Sequence, residues 1–205
     1  MFKSKKAVKK SKKWQRGLSL IEAAMVLALS AVVVAGVMAY YQSASTNEKT
    51  ERTISEIMSV LSAINSTYSS APNFNGITST IIAKTGALPA SFIGKDDKGK
   101  VIIKTPNGYP IEISAGSLDN KTNNDEYFNI QFDVPATMCG TMSRLDLGSS
   151  LVQMAIGDAT KPLPSLPLSV ADSQKYCDLA TEGGEDKNKN PLPAKDHVTI
   201  AYAFH

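Results

Sequence analysis

The 24 residues from Leu18 to Tyr41, LSLIEAAMVLALSAVVVAGVMAYY, carry a single charge, Glu22. No other stretch constrains the chain as strongly. About 20 predominantly apolar residues in a helix cross the hydrocarbon of a bilayer, so this run is long enough to span one. The carboxylate is the anomaly. A charge near the centre of a membrane helix costs about 2.5–3.5 kcal/mol, and less near its end. A chain that keeps such a group needs something to offset it.

The flanks set the orientation. Residues 1–17 contain Lys3, Lys5, Lys6, Lys9, Lys10, Lys12, Lys13 and Arg16 and no acid, and no basic flank follows Tyr41. That asymmetry keeps the N-terminal side in the cytoplasm and puts Tyr40 and Tyr41 at the far interface. Everything after about Gln42 is then exported. The net charge of +3 hides the division: without those eight, 14 basic residues face 19 acidic ones, so residues 18–205 carry −5. A nucleic-acid role would rest on the basic segment alone, and it falls away once that segment is removed.

Three readings of the segment compete. A cleaved secretory signal has an apolar core of about 7–15 residues and an A-x-A-like site, and this run is too long and holds an acid. A plain signal anchor fits the length but leaves Glu22 unexplained. The third reading takes the order at face value: a basic leader, Gly17, Leu18-Ser19-Leu20-Ile21-Glu22, then an unbroken apolar helix. That order resembles the class III leader of type IV pilins. The resemblance implies cleavage between Gly17 and Leu18 by a prepilin peptidase on the cytoplasmic side, followed by N-methylation of Leu18. It also implies that Glu22, the acidic fifth residue of the mature chain, pairs with an N-terminal ammonium to register an incoming subunit in a filament. In a low dielectric such pairing turns a costly charge into a directional attraction. The competing reading of Glu22 is snorkelling toward the headgroups.

Small residues recur on the same helix at Ala24, Ala28, Ala31, Ala35 and Ala39, with Gly36 beside them. Such spacing lets helix backbones approach closely, although alanine is also simply a good helix former, and Gly36 is a candidate soft point.

Beyond Tyr41, Ile54, Ile57, Met58, Leu61, Ile64 and Tyr68 follow helical 3-4 spacing and are expected in a core, with Glu51, Arg52, Ser55, Glu56 and Ser62 on other faces. Pro72 predicts an end to this helix near Ser70–Ala71. Residues 73–110 look loop-rich, with a short apolar piece at Ile77–Lys84. Strands are expected at Val101–Lys104 and Pro110–Ser114, joined at Asn107-Gly108. Another is expected through Phe128, Ile130, Phe132 and Val134, and a last one through Val198, Ile200, Tyr202 and Phe204. Met138–Leu147 and Ser169–Cys177 read as short helices. One helix against an antiparallel sheet is an α+β arrangement. Pilins share that plan, and in the type IVb branch the terminal strand lies inside the sheet.

Cys139 and Cys177 are the only cysteines. In an oxidising compartment they are expected to pair, where the resemblance implies a bond enclosing the variable C-terminal region. In a reducing one they would be two thiols. The Thr181–Pro193 stretch reads as a solvated loop. No nucleophile elbow, phosphate-binding loop, zinc pattern or dinucleotide fingerprint appears. The two histidines, His197 and His205, belong to a strand pattern. Glu182, Glu185 and Asp186 lie among lysines, without the order of a calcium loop. No enzyme, cofactor or metal site is expected.

The expected organisation is therefore a removed leader (1–17), a transmembrane and assembly helix (18–41) and an exported domain (42–205). The resemblance is strongest to type IVb major pilins of enteric bacteria, the bundle-forming, longus and colonisation-factor group. It implies a homo-oligomeric fimbrium built by inner-membrane assembly machinery, membrane-held as a precursor and extracellular once assembled. The alternatives are a type II secretion pseudopilin and a minor pilin.

Overall fold

The computed structural model describes residues 19–118, 125–182 and 194–205; Gly17, Leu18 and residues 183–193 of the polar loop lie outside them. The first element, α1 (Leu20–Tyr68), is a single helix of 49 residues that runs unbroken through Gly36. The chain divides between Ala44 and Ser45 into two units. Among its described residues, the first is helix from Leu20 on. Its apolar stretch has a mean hydropathy of 2.4 and none of it is buried, so its valines, leucines and methionines stand bare.

In the second unit α1 ends at Tyr68, two residues before the expected stop. Its inward face is Thr53, Glu56, Ile57, Val60, Leu61, Ala63 and Ile64. This differs from the expectation in two ways. Met58 is 44% exposed, and Glu56, assigned to an outer face, is only 4% exposed. The helix is rotated toward the 53–56–60–63 row, which brings a carboxylate under the sheet side in place of the thioether. A Thr-x-x-Glu-x-x-x-Val row alongside an apolar stripe is the signal that marks this edge.

Among the described residues six strands follow: β1 (Ile93–Lys95), β2 (Val101–Lys104), β3 (Pro110–Ala115), β4 (Phe128–Pro135), β5 (Leu151–Ile156) and β6 (His197–Phe204). They form one antiparallel sheet in the order β1-β2-β3-β4-β6-β5. The β2–β3 hairpin turns where expected. Gly108 takes φ 88°, a conformation glycine adopts without steric cost, and Thr105 N–H donates to the Tyr109 carbonyl at 2.8 Å. The short helices are α2 (Ser79–Lys84), α3 (Ala136–Met142) and α4 (Val170–Thr181).

The β4 and β6 alternation decides the core. Phe128, Ile130, Phe132 and Val134 pair in register with Phe204, Tyr202, Ile200 and Val198; all eight are buried, and all but Val198 cluster with Ile57, Val60 and Ile64 of α1. Phe128 stacks on Phe204 at 5.2 Å between ring centroids, and Phe132 tilts against Tyr202 at 5.7 Å. The expected position of the last strand holds: β6 lies inside the sheet. Its other face is covered as well, since Ala201 and Ala203 pack with Leu118 and Ala155.

The Tyr202 hydroxyl is fully buried and donates to the Met142 carbonyl at 2.8 Å, tying β6 to the end of α3. Burial also pushes its phenol well above the usual tyrosine range. Tyr202→Phe removes this hydrogen bond while the carbonyl still accepts from the Leu145 N–H at 3.2 Å, and the net loss of one hydrogen bond costs about 0.5–1.5 kcal/mol. The expected result is a loss of that size in chemical denaturation, with far-ultraviolet circular dichroism unchanged.

Candidate functional site

Two places carry the sequence-predicted residues. At the start of α1, Ser19 Oγ accepts from the Ile21 N–H at 3.3 Å and Glu22 Oε2 accepts from the Ser19 N–H at 3.1 Å. This is a reciprocal capping box: Ser-x-x-Glu satisfies two N–H groups that a helix end otherwise leaves open. It is a role of Glu22 that neither snorkelling nor ion pairing anticipated, although S-x-x-E is legible in the sequence. The cap occupies Oε2 and leaves Glu22 exposed at the helix N-terminus, where a negative charge is favourable.

The helix period decides which small residues share a face. At about 100° per residue, Ala24, Ala28, Ala31 and Ala35 fall within about 60° of one another. Gly36 lies about 100° from Ala35, off that stripe, and a Cβ there would meet nothing of this chain within 4 Å. Glu22 lies about 160° from Ala24, on the far side of the helix. The structure therefore brings the four alanines together and separates them from both Gly36 and Glu22.

The second place is the C-terminal region. Cys139 of α3 and Cys177 of α4 form a disulfide across 38 residues, with their Cα atoms 5.9 Å apart. Beside it the Ser143 and Ser173 hydroxyls share a buried hydrogen bond of 2.6 Å, and Ser173 Oγ also donates to the Gly140 carbonyl at 3.3 Å. Sulfur bridge and hydroxyl pair together hold α3 to α4. Val198 of β6 packs against the two cysteines, so the bridge rests on the sheet.

The histidines fill local roles. His197 stacks on Tyr109 at 5.7 Å, and its Nδ1 lies 2.7 Å from Asp196 Oδ1. That contact holds the Asp196 carboxyl below its ordinary range. His205 tilts against Tyr127 at 5.2 Å. Among the described residues, no three His, Cys, Asp or Glu side chains gather as a metal site.

The chain thus joins a bare apolar helix to a disulfide-closed α+β domain. The family model described as Bundlin matches residues 42–205. The chain belongs to the bundlin family. Over 141 residues it is 43% identical to proteins named "Major structural subunit of bundle-forming pilus", from Escherichia coli O127:H6 (strain E2348/69 / EPEC) and Escherichia coli O111:H-. That match covers 68% of this chain and 69% of the relative. Among solved structures, this bundlin-family chain is similar to a type IV b pilin from Salmonella typhi, with a TM-score of 0.48 and 12% identity, covering 73% of this chain and 95% of that one. It is also similar to TcpA, a type IV pilin from Vibrio cholerae El Tor biotype, with a TM-score of 0.44 and 14% identity, covering 77% and 99%.

Proposed function

We propose that this chain is the major structural subunit of a type IVb pilus, a polymer component rather than an enzyme. One observation supports this most: a domain of the bundlin family over 42–205 continues from a helix whose apolar stretch buries nothing within its own chain. An exported domain does not need so much bare apolar surface to fold. A helical bundle of many copies does, because it is where that surface leaves lipid.

On this reading the precursor sits in the inner membrane with residues 1–17 in the cytoplasm. Prepilin peptidase cuts after Gly17, Leu18 becomes the N-methylated first residue, and the inner-membrane assembly machinery draws the subunit into an extracellular fimbrium serving adherence and bacterial aggregation. The alanine stripe at Ala24, Ala28, Ala31 and Ala35 is the close-approach face of the bundle, and Gly36 relaxes the helix away from that face. Glu22, on the far side, meets the Leu18 ammonium of its own or a neighbouring subunit.

The processing step is open to direct measurement. Mass spectrometry of sheared surface material is expected to show an N-terminal peptide beginning with methyl-leucine at Leu18, and electron microscopy is expected to show abundant fibres containing the chain. A peptide beginning at Met1, or one cut after Ala39, would end this reading.

A further inference from the structure

Between α1, the turn before β1 and the β2–β3 turn lies a pocket of about 520 Å³. Glu56 is part of its wall, and Oε2 of this residue is fully enclosed with no hydrogen-bond partner. The hydroxyl-bearing residues Ser55, Ser91 and Thr105 line the same space, and Phe92 and Pro106 give it apolar wall. Two cations line the same space, Arg52 from α1 and Lys104 from β2; β1 contributes none to its lining. Arg52 is engaged elsewhere, its Nη2 lying 2.8 Å from Glu48 Oε1. Lys104 lies across β1, so that a Cβ at Gly94 would fall 2.6 Å from its Cε.

A buried carboxyl without a partner is costly, and burial pushes this one up to about 7. We propose that the pocket receives the ammonium of a lysine from a second copy of this chain as subunits pack into the filament. The chemistry of the lining selects that group. An ammonium has three donors and no acceptor, and the carboxylate and hydroxyl oxygens accept. A lysine stem is apolar along its methylenes, matching Phe92 and Pro106. In a helical polymer every subunit presents the same lysine to the same pocket of a neighbour, so one such contact repeats along the fibre. The inference rests on the polymer reading given under Proposed function.

The two states of the chain give opposite signs. In a detergent-dispersed monomer Glu56 Oε2 has no partner among the described residues. Its folded pKa stands above the unfolded value of 4.5, so ionisation opposes folding progressively from about pH 4.5 to 7 and fully above that. Glu56→Gln is expected to lower the monomer's unfolding constant at pH 8 by about a hundredfold, and to leave it unchanged below pH 4. In filaments of the full mature chain the same variant removes the lysine's acceptor. Subunit release at pH 8 is expected to rise by about tenfold, while wild-type filaments loosen as pH falls below about 7.

Carbodiimide treatment identifies the partner. The reagent takes up one water as a urea while the carboxyl and amine condense to an amide. In filaments assembled from mixed light and heavy-nitrogen subunits, peptides joining Glu56 to a lysine of the other isotope are expected; in dispersed monomers they are not. A bridge to Lys104 within one copy in both states overturns the proposal. So do filaments that form but give no Glu56 bridge, or Glu56→Gln filaments as durable as wild type at pH 8. If no filaments form from wild-type chain, the polymer reading itself has failed, and that result is distinct from the others.

Discussion

Cells carrying Glu22→Gln are expected to make, insert and process the chain normally, yet to assemble no fibres. Glutamine separates the two roles of this residue. Its side-chain carbonyl still accepts from the Ser19 N–H, because a capping box takes Gln in place of Glu, so the helix start seen with Glu22 Oε2 at 3.1 Å is kept. Only the charge is lost. Removing one member of an ion pair held in low dielectric costs about 3–5 kcal/mol, since the other charge is left buried alone. That is a factor of about a hundred to several thousand in the association constant at each subunit added. Helix capping alone is worth about 0.5–2 kcal/mol and would not stop growth. The measurement is electron microscopy of sheared fractions beside immunoblots of inner membrane. Fibres at wild-type abundance would mean that Glu22 acts as a cap and not as a partner for the Leu18 ammonium. Glu22→Ala, which loses both roles, should then be compared for helix stability.

The second large effect lies at the disulfide. Converting Cys139 and Cys177 together to serine is expected to lower stability by about 4 kcal/mol, from the entropy of a closed loop of this length. For a domain of this size that corresponds to a fall of about 8–16 °C in Tm. The Ser143–Ser173 and Ser173–Gly140 hydrogen bonds remain between α3 and α4, each worth about 1 kcal/mol. Thermal unfolding of the detergent-dispersed chain, with and without reductant, checks this. Wild type in reductant should match the double variant in oxidant. If reduction shifts nothing, the sheet alone holds the region and the bond adds no stability.

Where the sequence announced the fold, it did so through period. The β4 alternation, Phe128 to Val134, and the matching one in β6 come out in register on one face, and Asn107-Gly108 turns the hairpin between β2 and β3. Both signals are local, and a tertiary context that agrees with them leaves them unchanged. The β5 strand escaped notice for physical reasons. It carries a register irregularity between Leu151 and Gln153, Val152 is 42% exposed, and buried Met154 and Ala155 are neighbours rather than alternates. β1, at three residues, is too short to show any period. Glu56 illustrates the harder case. A helical wheel places it beside the apolar stripe, and which way the helix rolls by about half a residue depends on the sheet beneath it. At the N-terminus the sequence carried both meanings of Ser19-Leu20-Ile21-Glu22 together. The membrane-helix context drew attention to the charge and away from the cap.

The position of β6 has a consequence for export. On the reading above the N-terminus stays in the cytoplasm, and the exported part of the chain emerges in sequence order, β1 to β4, then β5, and β6 after them. Until β6 arrives, β4 and β5 each present an open row of amide and carbonyl groups, the exposed edge that sheets otherwise keep covered. The strand that fills the slot also brings half of the central aromatic stack. The sheet is therefore complete only once its last strand is in place.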